Sequence, residues 1–170
     1  MRKRFASFLL IAAVVAWGIW CGGQYFNEAR VVPKWLLSPP DSVIAYNAIP
    51  TDGGLPFFFP LNPLFFLLSL AAAIAAWRWA RRSRKWLVLS TVIGFGVSLV
   101  LILHLAPLIG SIARDAGNVP AAEIIARADA WKFGNRIRLI AEMLGFVCSV
   151  MALRVWSAEA VETGEIENAV

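Results

Sequence analysis

WKFGNRIRLIAEMLGFVCS, residues 131–149, is a stretch that begins polar and becomes apolar along its length. A set of mostly polar, aromatic or small side chains recurs in it at steps of four, three, four, three and four residues: Trp131, Asn135, Arg138, Glu142, Gly145 and Ser149. These steps place the set on one stripe of an α-helix, and large apolar side chains cover the remaining surface. Because lipid cannot satisfy polar groups, we expect this polar stripe to face protein inside a membrane bundle.

The composition of the chain indicates an integral membrane protein. Of its 170 residues, 59% are hydrophobic, and the mean hydropathy is +0.68. A soluble domain is nearer half apolar. The excess lies in four apolar runs, and several of the eight tryptophans stand at the ends of runs, as in the aromatic belts of membrane proteins. The net charge of +5 comes from short basic runs beside these segments, so we expect membrane lipid and no nucleic acid as a partner.

The four runs predict an all-α fold, a four-helix transmembrane up-down bundle. The expected membrane domain covers residues 1–157 and is followed by an acidic tail at residues 158–170. Its expected spans are residues 5–32, 62–79, 86–110 and 133–156. The loop after the first span, rich in proline and glycine, is expected to contain a short helix and to cover the outer mouth of the bundle.

The basic residues predict the orientation of the bundle. Residues 78–85 contain five arginines or lysines, and the chain starts with MRKR. The positive-inside rule places both segments in the cytoplasm, which makes both termini and the acidic tail cytoplasmic. The expected location is the bacterial inner (plasma) membrane. Binding of anionic lipid by residues 78–85 is the less favoured interpretation of the same charges.

Ionisable residues are expected to meet near the outer side of the bundle. Arg138 and Glu142 are four residues apart and can pair on one helix face. Charges at such depth cost about 2.5–3.5 kcal/mol each, which favours pairing. His104, the single histidine, lies in the outer part of the third span, and Gln24 lies near the end of the first.

Two interpretations of this group stay open. In one, it lines an outward-facing polar pocket in which Glu142 or His104 is the catalytic base and Arg138 stabilises an oxyanion. The residues that would bind substrate there are Asn135, Trp131 and Gln24. In the other interpretation, the Arg138–Glu142 pair and Asn135 only neutralise one another and fasten the bundle.

Metal and cofactor signals are sparse in the sequence. Cys21 and Cys148 lack zinc spacing, and one histidine with one glutamate falls short of a usual metal shell, so we expect no metal site. A single histidine excludes a bis-histidine haem but not a haem with another axial ligand. The cofactor, if the protein uses one, is unknown from the sequence.

Two segments carry a family resemblance. They are GGQYFNEARVVPKWLLSPP, residues 22–40, and WKFGNRIRLI, residues 131–140. Together they resemble the anthrone-oxygenase-like family of small four-helix membrane proteins, mostly uncharacterised in bacteria. The positions that match its pattern are Gly23, Tyr25, Pro33, Trp35, Trp131, Asn135 and Arg138. The resemblance implies a membrane-embedded fold and, in some members, oxygenase activity on polycyclic phenolic ketones without a known cofactor.

The leading functional hypothesis is therefore an oxygenase or oxidoreductase that acts on a lipophilic aromatic or quinone-like molecule. A rival hypothesis is a non-catalytic accessory subunit of a larger membrane complex, or a homo-oligomer. Small residues at Gly94, Gly96 and Ser98, or at residues 71–76, would then contact another chain. A third hypothesis is a protein that binds or transports a lipophilic small molecule.

Overall fold

The computed structural model describes the backbone of residues 2–49 and 55–162, and the side chains of residues 3–49 and 61–159. Every regular element in these ranges is helical. In chain order the α-helices are α1 Arg2–Phe26, α2 Val32–Trp35, α3 Asp41–Asn47, α4 Leu55–Ala76, α5 Arg84–Val100, α6 Ala106–Asp115 and α7 Ala121–Glu162. Two π-helical turns interrupt them, Asn27–Val31 between α1 and α2 and Leu101–Leu105 between α5 and α6.

Three helical stretches are long and apolar enough to cross a membrane, Lys3–Trp35, Arg84–Asp115 and Ala121–Glu159. Their length and composition identify the chain as an integral membrane protein. The described part of α4 adds a shorter apolar stretch, Leu61–Ala76. Helices α1 and α5 each contact both α4 and α7, so that α4 closes a ring of packed helices.

Buried side chains form three clusters along the bundle. One lies at the end that contains the start of α1 and residues 77–83, which we call the terminal end; it includes Leu10, Leu87 and Trp156. A middle cluster is centred on Trp17, Trp20 and Phe65. The third lies at the opposite end.

This opposite end, the cap end, is built by α2, α3, α6 and the beginning of α7. Its buried cluster includes Trp35 and Val43 from the first loop, Ile112 from α6, and Ile124 and Trp131 from α7. Asn47 Nδ2 also donates a hydrogen bond of 3.0 Å to the carbonyl oxygen of Ala113, which joins α3 to α6. The described residues of the first loop, up to residue 49, therefore form a packed cap on this end of the bundle.

The two π turns explain how the helices continue past Pro33, where the first span was expected to end, and past Pro107, inside the third expected span. Pro33 follows the first π turn and Pro107 follows the second, each within the first two residues of the next α-helix. A proline ring clashes with the carbonyl group four residues earlier in an α-helix. At each site the residue before the proline bonds instead to a carbonyl five residues back, Val32 N–H to Asn27 and Ala106 N–H to Leu101. The widened turn makes room for the ring.

The helix bounds differ from the expected spans in several places. Helix α4 begins at Leu55 rather than at Asn62 and ends at Ala76 rather than at residue 79. Its early start is compatible with Pro56, which lies in the first turn, where no intrahelical N–H bond is required. Helix α7 is continuous from the cap end to Glu162, with no break at Gly134. The expected acidic tail is helical to Glu162, and its residues 163–170 lie outside the described part of the chain.

Candidate functional site

The polar stripe of α7 faces the interior of the protein. All six of its residues are buried: Trp131, Asn135, Arg138, Glu142, Gly145 and Ser149. The intervening apolar side chains, such as Ile140 and Leu144, are exposed on the opposite face. This confirms the burial that the helical spacing predicts, because each polar group would lose its hydrogen-bonding partners if the helix were turned towards lipid.

Arg138 and Glu142 form an ion pair at the centre of this stripe. Arg138 Nη1 lies 3.3 Å from Glu142 Oε1, and the side chains are 3% and 0% exposed, respectively. The residues are one helical turn apart, so the backbone of α7 alone brings them together. Two opposite charges thus cancel within one helix at a depth where either charge alone would be costly.

Helix α1 and the first π turn provide the other wall of the site. Arg138 Nη2 donates hydrogen bonds of 2.7 Å to both Gln24 Oε1 and Asn135 Oδ1. Asn135 Nδ2 in turn donates a bond of 2.8 Å to Glu28 Oε2. Glu28 also pairs with the exposed Arg136, whose Nε lies 3.2 Å from Glu28 Oε1. Gln24 and Glu28 therefore both contact the polar stripe of α7.

These contacts form a continuous polar chain from the surface to the interior. It starts at Glu28, whose side chain is 19% exposed, and passes through Asn135 and Arg138 to Glu142. The four formal charges, Glu28, Arg136, Arg138 and Glu142, sum to zero. We call the five residues Gln24, Glu28, Asn135, Arg138 and Glu142 the polar cluster.

The inner end of the polar cluster is not saturated with hydrogen bonds. Arg138 Nε and Nη1 and both carboxylate oxygens of Glu142 are buried without a hydrogen-bond partner among the described residues. The indole of Trp20 interacts with the Glu142 carboxylate, although not in good hydrogen-bond geometry. Nη1 and Oε1 face each other in the ion pair, so the capacity for a further polar group rests on Arg138 Nε and on the carboxylate oxygen outside that contact.

The floor of the site is closely packed. Cys21 donates its S–H to the Glu142 carbonyl oxygen across 3.6 Å, and Trp17 packs below it with its indole N–H bonded to Ser69 Oγ at 2.9 Å. A Cβ on Gly145 would lie only 2.5 Å from Trp17 Cη2. Glycine at this position allows α7 to approach α1 closely, which places the polar cluster directly above the middle cluster.

Two of the residues predicted from the sequence lie elsewhere. His104 is in the second π turn with an exposed side chain, and the structure does not bring it to Glu142. The expected proximity failed because the π turn changes the rotational register of the residues that follow residue 100. Trp131 is buried in the cap, where its ring meets Trp35 edge-on at 5.7 Å between centroids. It supports the cap above the polar cluster and has no contact with the ion pair in the described structure.

Sequence reasoning missed two parts of the site. The tryptophans at the ends of apolar runs were expected to be interfacial anchors, whereas one of them, Trp20, has a fully buried side chain beside Glu142. The two π turns were not predicted, although a proline inside each long apolar run was the available signal.

A cavity of about 650 Å³ lies far from this cluster, between α4 and α5 at the terminal end. It is lined mainly by apolar side chains and by Arg78. Within the described residues no group of three or more histidine, cysteine, aspartate or glutamate side chains is placed to hold a metal ion. The chemistry available at the polar cluster is thus that of a buried carboxylate, which can accept a proton, beside a guanidinium, which can hold an oxygen atom.

Comparisons with known proteins find no relative of this chain. Searches against protein-family models, curated proteins and solved structures each find no match. The similarity to anthrone-oxygenase-like proteins stays a prediction that rests on its short motifs.

Proposed function

We propose that this chain is a four-span bacterial inner-membrane protein, with both termini cytoplasmic, in which the polar cluster binds and deprotonates a lipophilic aromatic ketone or quinol-like molecule. The observation that carries the proposal is the unsaturated Arg138–Glu142 pair. A pair that only fastened helices would gain stability from every hydrogen bond it completed, yet Arg138 Nε and Glu142 Oε2 complete none among the described residues.

In this proposal each residue has a defined role. Arg138 donates from Nε or Nη1 to the carbonyl or phenol oxygen of the substrate, while Nη2 stays fixed by Gln24 and Asn135. Glu142 accepts a proton from a carbon conjugated with that carbonyl group, which in an anthrone is the methylene across the central ring, or from the hydroxyl group. Negative charge then develops on the oxygen held by Arg138, and the low-dielectric surroundings strengthen that attraction.

For an anthrone-like substrate the reaction is completed by dioxygen. The methylene carbon loses two hydrogens and gains one oxygen atom as a ketone, and the second oxygen atom leaves as water. The polar cluster supplies the first step only, the removal of a proton to give the electron-rich enolate that dioxygen oxidises.

Access to the polar cluster requires movement of the cap. Glu142 is fully buried and Arg138 nearly so, beneath the packed residues of the cap end. The first π turn contributes Glu28 to the cluster. Such turns are frequent at functional sites, so we assign the opening to the cap and the π turns that carry it.

The test is turnover of anthrone by the full chain reconstituted in vesicles. The readouts are the consumption of dioxygen and the absorbance of the anthraquinone product. We expect turnover above that of empty vesicles, with Glu142→Gln and Arg138→Ala reduced to background. Lys34→Gln, an exposed change at the cap end, is the matched control and should retain activity. Wild-type turnover equal to that of empty vesicles would reject the proposal, as would full activity in Glu142→Gln.

The accessory-subunit hypothesis has less support in the structure. Gly94 packs against Trp17 and Phe65, Ser98 Oγ lies 3.4 Å from Asn62 Oδ1, and Ala72 is buried in the cluster at the terminal end. These small residues serve contacts within the chain. Gly96 alone among the glycines of α5 faces open space. Native mass spectrometry from mild detergent distinguishes the hypotheses, since a subunit would retain a partner chain.

A further inference from the structure

The cavity between α4 and α5 at the terminal end differs in chemistry from the polar cluster. Its walls come from the exposed side chains Leu70 and Ile74 of α4 and Val88 and Val92 of α5. The buried Ala73 also lines it, and its small side chain leaves space between the helices. The volume of about 650 Å³ lies within the ~300–1,000 Å³ range of small-molecule sites. Because these walls belong to helices of a membrane protein, the groove faces lipid.

One end of this groove is strongly basic. Arg78 lines the cavity together with Trp77 and Trp79, its side chain is exposed, and it makes no ion pair with a described acidic residue. Arg84 does not line the cavity itself but is held at the neighbouring Trp77, with its guanidinium 4.5 Å above the Trp77 ring and Nη2 bonded to the Trp77 carbonyl oxygen at 2.6 Å. The groove therefore combines an apolar trough with a fixed positive charge at its mouth.

We propose that this groove binds an anionic phospholipid, with an acyl chain along α4 and α5 and the phosphate at Arg78 and Arg84. Charge complementarity identifies the occupant: residues 78–85 contain five basic side chains, and a phosphate is the anionic group that a membrane presents at the depth of a helix end. Arginine suits this role because its planar guanidinium forms paired hydrogen bonds with phosphate oxygens. The indoles of Trp77 and Trp79 suit the interface, where one edge is apolar and the other wet.

This site is independent of the reaction at the polar cluster and of the sidedness of the bundle. It requires only that the terminal end of α4 and α5 lies at a membrane surface. The basic loop can orient the protein and hold a lipid at the same time, since both effects arise from the same charges near anionic headgroups.

Native mass spectrometry of the full chain in mild detergent tests the inference. We use added dioleoyl phosphatidylglycerol as the probe and dioleoyl phosphatidylcholine as the neutral-headgroup comparison. We expect preferential retention of phosphatidylglycerol, reduced about fivefold by Arg78→Gln, the factor equivalent to ~1 kcal/mol per basic residue at a membrane surface. Arg154→Gln, an exposed basic residue of α7 outside the groove, is the matched control and should not change retention.

A second variant tests the contribution of the groove's shape independently of the basic side chains. Ala75→Phe narrows the groove without altering any basic residue, and it should also lower phosphatidylglycerol retention. Unchanged retention in Ala75→Phe would show that the groove does not hold the lipid and that the basic residues attract it only diffusely at the surface. Equal retention of the two lipids by the wild-type chain, or an equal loss in Arg154→Gln, would overturn the headgroup assignment.

Discussion

Asn135 is the connecting residue of the polar cluster. Its amide oxygen accepts from Arg138 and its amide nitrogen donates to Glu28, so that both ends of one side chain are used. A carboxylate at this position could only accept, and would add a third negative charge beside Glu28 and Glu142. The amide therefore links two ion pairs without changing the total charge, which is the arrangement that a low-dielectric interior tolerates best.

Removing one charge of the buried pair should destabilise the fold. Arg138→Met leaves Glu142 without its counter-charge and leaves Gln24 and Asn135 without their shared donor. We expect a loss of about 3–5 kcal/mol in the free energy of unfolding, typical of a broken buried pair. SDS-induced unfolding in mixed micelles measures it.

The double variant Arg138→Met with Glu142→Leu should regain most of this stability, because no uncompensated charge remains. Arg127→Met is the comparison at a partly exposed pair, where Arg127 Nη1 lies 2.7 Å from Asp115 Oδ2. Its effect should be much smaller, since water screens that pair. Equal losses of unfolding free energy in Arg138→Met and Arg127→Met would contradict the burial of the Arg138–Glu142 pair.

Gly145 should be intolerant of even one added carbon. Gly145→Ala places a methyl group against the buried ring of Trp17, which cannot move without losing its bond to Ser69. We expect a loss of about 1–3 kcal/mol, typical of overpacking. Gly96→Ala, where an added Cβ meets nothing within 4 Å, should be close to neutral in the same unfolding assay. Similar effects of the two substitutions would argue against the close approach of α7 to α1.

At the scale of elements, the π turns and the cap act together. Each π turn lies near the cap end of a long helix and precedes a proline, and between them they carry Glu28 and the buried Leu105. Gly134 makes room for Leu105, whose Cδ2 would lie 2.9 Å from an added Cβ. The turns thus set which side chains face α7 beneath the cap.

Weakening the cap should open the route to the polar cluster. Trp35→Ala removes a buried ring that packs on Trp131 and Tyr46, at a cost of about 3–5 kcal/mol. Because each ~1.4 kcal/mol of lost closing free energy raises the open population tenfold, we expect maleimide to label Cys21 at least about ten times faster. The assay uses a Cys148→Ala background, so that Cys21 is the single thiol.

The control for this prediction is Trp156→Ala. Trp156 is buried at the terminal end and donates a hydrogen bond of 2.9 Å to Ser7 Oγ, so its loss is of comparable size but remote from the cap. It should leave Cys21 labelling nearly unchanged. Faster labelling in Trp156→Ala alone would place the opening at the terminal end instead.

At the scale of the whole molecule, the proposed orientation puts the cap end outside and the terminal end in the cytoplasm. Ser38 is exposed in the cap, and Ser157 is exposed near the end of α7. In intact cells an impermeant thiol reagent should label Ser38→Cys, whereas Ser157→Cys should react only after permeabilisation. Both variants keep the native cysteines, which are buried. The reverse pattern would show that the cap end lies in the cytoplasm. Labelling of both variants in intact cells would place the two sites on the same side of the membrane, which is incompatible with a four-span protein.

The buried face of α7 was predictable from the sequence because helical periodicity and the cost of polar groups in lipid both act locally. Six positions at alternating steps of three and four had a single arrangement that kept them from the hydrocarbon. The same reasoning misplaced His104, since an unrecognised π turn shifts the register of the residues beyond it.

By itself, the sequence determined the helical class, the membrane setting and the residues that α7 turns inwards. The tertiary structure decided which residues face them: Gln24, Glu28 and Trp20 from α1 and the first π turn, rather than His104. It also decided that the Arg138–Glu142 pair lies sealed beneath a cap, while the described cavity lies at the other end of the bundle. Periodicity fixes the inward face of one helix, whereas its opposing partners depend on the rotation and approach of a second helix.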